Sequence, residues 1–453
     1  MSRAPLLAAS AVAAFAASLG AAFQFDDYNV IVGNPAVHGW SALAGELGPG
    51  LRPVLKASYA LSWTLGGGEP LAFHAFNVLV HALNTVLLYF IGLRLAARWQ
   101  PGLENAVLVA ALVFALHPVQ TEAVTYASGR SVSLAAAFYL GAILVYLRGG
   151  ARWASLGLFA LACGTRETAL VLPAALLLCE LAARQRAPWR DILRRQGAHW
   201  LLAAGLATAS LAHERYARFF EVAFGQRGIA DNLLSQVEGI GYLVSRLFLP
   251  HRLNIDPALP ALDAWDAALA LRAIALLALL ALGILSLRTR PWIGLGVCWF
   301  FVHLAPTNSF VPRLDIANER QLYLALWGLA LAVAIQLSRL SLPAIATRAT
   351  ALALCALLAI LSASRQLDYR TEIALWETSV REAPWNARAH NNLGYARALS
   401  GDGEGAARAY RAALLFGPVG GRAAYNLEAL LTRGTGPAPD RRPPPRHART
   451  RPQ

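Results

Sequence analysis

The chain has 453 residues, 57% hydrophobic and only 15% charged, with a mean hydropathy of +0.44 and a formal net charge of +14. A soluble chain of this length carries about a quarter charged residues, which excludes a soluble multidomain enzyme and a disordered scaffold. What remains is a polytopic membrane protein. Its long apolar stretches are Leu and Ala without strand-like alternation, so the spans are expected to be helical.

Residues 5–23 form the first apolar run and follow Arg3. This run reads as an uncleaved first span in preference to a cleaved signal peptide, because it is long enough to cross and further runs follow. Those further runs lie at about 71–93, 103–116, 131–147, 153–164, 168–183, 198–212, 233–249, 266–287, 291–305, 321–338 and 349–364. Lys56 is the only lysine, so arginines set the orientation. Arg94, Arg98, Arg148, Arg152, Arg184, Arg186, Arg190, Arg194, Arg195, Arg288, Arg290, Arg339 and Arg348 all fall between runs and are assigned to the cytoplasm by the positive-inside rule. With the N-terminus inside, this parity requires 213–265 to begin and end outside. The run at 233–249, which carries Gln236, Glu238 and Arg246, is therefore read as an interfacial or re-entrant helix. The expected fold is all-α, with about eleven spans across residues 1–364 and extracytoplasmic loops at 24–70, 117–130, 213–265 and 306–320.

Beyond residue 364 the composition turns soluble. Asn392-Leu393 recurs as Asn426-Leu427, and Pro384 is echoed by Pro418, both at an offset of 34 residues, the tetratricopeptide period. Residues 365–432 are read as a short tetratricopeptide unit on the outer side, about one full repeat. So short an array cannot bury a core alone, which points to docking on the membrane domain or on a protein partner. The Pro- and Arg-rich tail 433–453 is expected to be disordered. No stretch interleaves basic and aromatic residues on a soluble surface, so nucleic acid is set aside. Cys163, Cys179, Cys298 and Cys355 all lie in apolar runs without metal-site spacing.

Several polar clusters interrupt the apolar pattern. Asp26 and Asp27 open the first outer loop. Adjacent carboxylates repel and raise a pKa, which suits proton transfer or a divalent cation, although no full ligand set is visible; a solvated pair that merely ends a helix is the plain alternative. Arg52 and Lys56 sit four apart on an expected interfacial helix facing lipid headgroups or a lipid-linked phosphate. His74, Asn77, His81 and Asn84 form one polar stripe, for which hydrogen bonding between helices is the commoner reading than metal ligation. His117 and Glu122, then Arg130, then Arg166-Glu167, then Glu319-Arg320 follow, as do His251, Asn254 and Asp256. By the parity reading all of them face outward and converge on one polar cavity.

The segments FDDYNVIVGNP, LRPVLKASYALSW, AFHAFNVLVHALNTVLLY, ALHPVQTEAVTYASGR, CGTRETALVLP, LFLPHRLNID and ANERQLYLALWG occur in that order ahead of the repeat unit. In this combination the chain resembles bacterial relatives of the transmembrane and tetratricopeptide-containing O-mannosyltransferases, of the GT-C class of membrane glycosyltransferases. The resemblance implies an inverting transfer of a sugar, mannose or a similar hexose, from a polyprenyl-phosphate donor to a protein or glycan acceptor outside the cytoplasm. It implies a multi-pass protein of the bacterial inner membrane. Asp26 or Asp27 would be the general base, Arg166 and Arg320 would bind the donor phosphate with Arg52 and Lys56, and Glu167 and Glu319 would orient those arginines. Glu122, Arg130 and His117 would shape the pocket. Arg166 stands where the family often has Lys, and Tyr28 and Gln321 also depart from the expected pattern. A non-catalytic scaffold, whose repeat unit recruits an envelope or polysaccharide-assembly partner, is the competing reading. A polysaccharide polymerase or ligase is a third.

Overall fold

The computed structural model describes residues 3–46, 51–183, 187–340, 343–417 and 421–433. Arg184, Arg186, Pro418 and the tail from 434 onward, assigned above from sequence, lie outside the described residues. The described elements are all helical. They run α1 Ala4–Ala14, α2 Trp40–Glu46, α3 Pro53–Gly66, α4 Pro70–Trp99, α5 Glu104–Leu116, α6 Thr121–Val124 and α7 Arg130–Leu147. Next come α8 Arg152–Thr165, α9 Leu172–Leu181, α10 Trp189–Ala212, α11 Glu214–Gln226, α12 Ile229–Phe248, α13 Ala267–Thr289 and α14 Pro291–Leu304. The last are α15 Leu322–Ser338, α16 Ala344–Leu367, α17 Glu372–Glu382, α18 Ala387–Leu399, α19 Gly403–Phe416 and α20 Arg422–Arg433. Proline opens α3, α4 and α14, where its missing N–H would have had no helical partner.

Among the described residues, five helical stretches are long and apolar enough to cross a bilayer: Pro70–Trp99, Ala127–Leu147, Ala267–Thr289, Glu319–Ser338 and Ala344–Leu367. A sixth is the bent pair Glu104–Leu116 and Pro118–Val124, which turns by 51° at His117-Pro118. Most of the other runs expected to span are realised as shorter or broken helices. The first run is an 11-residue α-helix followed by a 3-10 turn, Ala16–Gly20. At about 1.5 Å per residue, 11 residues fall well short of a hydrocarbon core about 30 Å thick. The runs 153–164 and 168–183 are separated by Arg166 in extended conformation. Run 291–305 is the 14-residue α14. The segment 233–249 belongs to the amphipathic α12, which buries Asn232, Ser235 and Gln236 and exposes Ile229, Leu233 and Phe248.

The interior of the bundle lies between α4, α5, α7, α14 and α15, around Trp99, Phe114, Trp299, Tyr323 and Trp327. The approach of α14 to α15 is made without side chains. A Cβ on Gly296 of α14 would stand 2.4 Å from the carbonyl oxygen of Gly328 in α15. Small residues let backbones meet at this distance, the usual device of helix packing in membranes. By contrast, only 11% of the apolar window of α13 and 6% of that of α16 are buried in the protein. Their exposed Leu and Ile side chains are what lipid would cover.

The chain divides into two compact units after Thr371. The first unit extends past residue 364 because the end of α16 is anchored in it. Gln366 Nε2 donates to the Ala14 carbonyl at 2.7 Å, Gln366 Oε1 accepts from the Ser18 N–H, and Arg365 faces Glu319. The second unit, described by itself, stacks α17, α18, α19 and α20 in sequence. Leu393, Ala406, Tyr410 and Ala413 are buried at its α18–α19 crossing, and Gly394 makes room for the Tyr410 ring. Asn391 and Asn426, close to the observed sequence echo, hydrogen-bond to each other at 3.0 Å.

Candidate functional site

The site is built from four segments that interrupt the bundle at one end. The first is the loop after α1. Phe25 adopts a left-handed φ of 36°, which turns the chain so that the two neighbouring aspartates part. Asp27 points inward and is fully buried. Its Oδ2 accepts the Gln24 N–H at 2.9 Å and its Oδ1 the Ser128 N–H at 2.7 Å. Burial pushes its carboxyl up to about 7, partly offset by those two N–H groups and reinforced by the Asp26 charge. Asp26 is only half-buried. Its backbone N–H donates to the Tyr126 hydroxyl at 2.9 Å, and its carboxylate is within electrostatic reach of Arg320.

The second segment is 117–130. A Cβ on Gly129 would stand 2.3 Å from the Glu122 carbonyl oxygen, so this fold-back requires glycine. Glu122 is buried and holds Arg320 twice. One oxygen accepts the Arg320 backbone N–H at 2.9 Å and the other lies 3.4 Å from its Nε. The third segment is the break between α8 and α9, where Arg166 Nη1 donates to Ser131 Oγ at 2.8 Å. The fourth is 305–321, which contributes Arg313 and Arg320.

The structure corrects the expected pairings. Glu167 was expected to orient its neighbour Arg166, and Glu319 its neighbour Arg320. Instead Glu167 forms a two-pronged pair with Arg52, Nε to Oε2 at 3.0 Å and Nη2 to Oε1 at 2.6 Å, and also accepts from the Tyr216 hydroxyl at 3.4 Å. Burial opposes the ionisation of Glu167, but the charges of Arg52 and Arg166 and the Arg52 hydrogen bonds outweigh it and hold the carboxyl at about 2. Glu319 faces Arg365 at 3.8 Å and accepts from the Tyr242 hydroxyl and the Asn254 N–H, so it ties α12, the 249–256 loop and α16 together. Arg166 acts on Glu167 through its charge, while the hydrogen bonds of Glu167 go to Arg52 and Tyr216.

Two further expected pocket residues do structural work. The Arg130 guanidinium is wholly buried. It donates to Asn77 Oδ1 at 2.8 Å, to the Ser58 carbonyl at 2.7 Å and to the Phe73 carbonyl at 3.0 Å, and lies against the rings of Tyr59, Phe73 and Phe76. It fastens α3, α4 and α7. His117 accepts the Val119 N–H on Nδ1 and donates from Nε2 to the Leu247 carbonyl at 3.2 Å, capping the bend after α5. Lys56 does not line the cavity described below.

Between α7, the α8–α9 break, α14 and α15 lies a cavity of about 560 Å³, counting its open mouth, with Arg166 and Arg320 in its wall. Arg166 and Arg313 are each within electrostatic reach of both Arg52 and Arg320. Burial, together with the charges of Arg52 and Arg320, brings the Arg166 guanidinium down to about 9. Cations crowded at a cavity wall favour an anion, and guanidinium binds phosphate oxygens bidentately. Arg313 was missed from sequence. The available signal was an arginine in an outer loop, against the positive-inside rule. Among the described residues no group of three or more His, Cys, Asp or Glu could hold a metal ion.

Part of the chain is similar to curated relatives. Protein O-mannosyl-transferase Tmtc1 of Drosophila melanogaster is 36% identical over 186 residues, 36% of this chain and 20% of that protein. Protein O-mannosyl-transferase TMTC1 of Mus musculus is 36% identical over 160 residues, 32% of this chain and 17% of that protein. Protein O-mannosyl-transferase TMTC3 of Homo sapiens is 29% identical over 145 residues, 29% of this chain and 15% of that protein. The matched stretch thus spans a fifth or less of each of these relatives. No family model matches the chain, and no solved structure matches it.

Proposed function

We propose that the chain is an inverting membrane glycosyltransferase. It takes a sugar, mannose or a similar hexose, from a polyprenyl-phosphate donor and transfers it to a hydroxyl of a protein or glycan acceptor. The observation that carries this reading is the pairing of Arg166 and Arg320 in the wall of one cavity, with Arg52 and Arg313 within electrostatic reach of Arg166 and the half-buried Asp26 within electrostatic reach of Arg320. The partial similarity to protein O-mannosyl-transferases supports it.

In this reading the donor phosphate lies on the arginines. Asp26 takes the proton of the acceptor hydroxyl as its oxygen bonds to the anomeric carbon. The bond from that carbon to the phosphate oxygen breaks on the opposite side, and the electron pair leaves on polyprenyl phosphate, whose charge the guanidinium groups stabilise. Asp27 shapes the loop that presents Asp26. Glu122 positions Arg320, and Glu167 positions Arg52. No step is routed through a metal ion. The reading includes an eleven-span arrangement in a bacterial inner membrane, with the N-terminus cytoplasmic and a tetratricopeptide-type second unit in the periplasm, where a protein partner can dock on it.

The test is donor binding. Full-length protein in nanodiscs is titrated with polyprenyl-phosphate mannose, wild type against Arg166→Ala and Arg320→Ala. Saturable binding that each substitution weakens about tenfold or more, the loss of one charge-assisted contact, is expected. A folded wild-type sample that binds no polyprenyl-phosphate donor overturns the reading.

A further inference from the structure

Three residues in the wall of the arginine cavity each carry a buried polar atom that has no hydrogen-bond partner among the described residues. Tyr139 of α7 is 2% exposed, and its hydroxyl has no partner. His303, in the last turn of α14, has Nδ1 at 2.8 Å from the Trp299 carbonyl oxygen. A carbonyl only accepts, so the neutral ring carries its proton on Nδ1 and leaves Nε2 as a bare acceptor, also without a partner. Gln321 accepts the Asn318 N–H on Oε1 at 3.2 Å, which fixes its amide, while its Nε2 finds no acceptor. All three residues line the same cavity as Arg166 and Arg320.

Such groups are costly to keep dry and unpaired, and buried polar atoms normally find partners. Phe or Leu would fill these positions in a bundle that needed only packing. Nor can the rings turn away. Tyr139 meets His303 edge-on at 5.4 Å between ring centroids, and Trp299 packs behind His303 at 4.2 Å. The three groups are an acceptor, a donor and a hydroxyl that does both. A carboxylate or phosphate would meet the lone pair of His303, and an alkyl chain would leave all three unsatisfied. Neighbouring hydroxyls on a ring, each able to donate and accept, match the set.

We propose that Tyr139, His303 and Gln321 form the sugar-recognition floor of this cavity, taking hydroxyls of a hexose whose phosphate lies on Arg166 and Arg320. This rests on the glycosyltransferase reading above. The three residues touch substrate and determine which sugar is accepted.

The test separates sugar from phosphate. Full-length protein in nanodiscs is titrated with bare polyprenyl phosphate, polyprenyl-phosphate mannose and polyprenyl-phosphate glucose. The variants are Tyr139→Phe, which removes one oxygen, and Gln321→Glu, which keeps the acceptor for Asn318 but removes the donor. His303→Phe is a third. Unfolding temperatures identify any variant that has lost its fold. The expected result is that each variant weakens the preferred sugar-bearing donor about tenfold, roughly one hydrogen bond, and leaves bare polyprenyl phosphate within about twofold of wild type. Arg166→Ala weakens both. If Tyr139→Phe and Gln321→Glu bind every sugar-bearing donor as wild type does, or weaken bare polyprenyl phosphate equally, the sugar floor is refuted while the phosphate site stands. If wild type binds none of the three probes, the glycosyltransferase reading fails and takes the floor with it.

Discussion

Replacing each aspartate of the adjacent pair by asparagine separates two roles that the sequence leaves merged. Asp27 is fully buried, with one oxygen on the Ser128 N–H and the other on the Gln24 N–H. Asparagine keeps one acceptor and turns an N–H2 group towards the second backbone donor, which is left unpaired in a site water does not reach. That costs about 1–3 kcal/mol, so Asp27→Asn lowers the unfolding temperature by a few degrees and reduces transfer only as far as the loop shifts. Asp26 is half-buried, and its backbone N–H, which donates to the Tyr126 hydroxyl, is kept by asparagine. Asp26→Asn keeps the shape of a half-buried side chain while removing the base, so it costs less stability than Asp27→Asn and loses about 10²–10⁴ in turnover. The assay is transfer of labelled mannose from polyprenyl-phosphate mannose into protein of a membrane and periplasmic extract, run beside thermal unfolding of the solubilised protein. Full transfer by Asp26→Asn, with loss of transfer at unchanged stability in Asp27→Asn, would refute the assignment.

Arg130→Lys replaces a planar donor set that satisfies Asn77, Ser58 and Phe73 with a single point charge. It should destabilise the first unit by about 3 kcal/mol, visible as a lower unfolding temperature, and unchanged stability would contradict the stapling role. Gly129→Ala places a methyl 2.3 Å from the Glu122 carbonyl oxygen, so the 122–130 fold-back must open. A loss of about 1–3 kcal/mol is expected, together with weaker donor binding through displaced Arg320; normal binding would show that Glu122 does not set Arg320. The Glu167 carboxyl is held at about 2 against an ordinary 4.5, so its ionised form stabilises the fold above pH 4.5 and that contribution is lost as pH falls towards 2. The gap bounds the effect at roughly 3 kcal/mol, reduced by screening at this partly exposed pair. Glu167→Gln should flatten that acid limb of a stability profile, and an unchanged acid limb would remove the Arg52 pair from the account.

Some of this was legible along the chain and some was not. The unbroken Leu and Ala runs announced helices, because the apolar, non-alternating pattern acts locally. Five or six of the expected spans are single helices long enough to cross among the described residues; an apolar run says nothing of the break that Arg166 or His117-Pro118 puts into it. The polar stripe His74, Asn77, His81 and Asn84 was rightly expected to face protein. Three of its members contact other segments: Asn77 holds Arg130, while His81 and Asn84 both reach the Tyr323 hydroxyl. Arg313, Tyr139 and His303 gave no local signal strong enough to select them.

Composition and periodicity alone determined that the protein is helical and membrane-spanning, that charge gathers in its interhelical segments, and that a second unit of different composition follows. These properties depend on how each residue partitions between water and lipid, which neighbours in space barely alter. Only the tertiary structure decided which carboxylate belongs to which arginine. Glu167 holds Arg52 from 115 positions away, and Glu122 holds Arg320 from 198 positions away, while the sequence neighbours diverge. Ion pairing depends on a few ångströms and on direction, and those are set where the helices stop and the backbone turns.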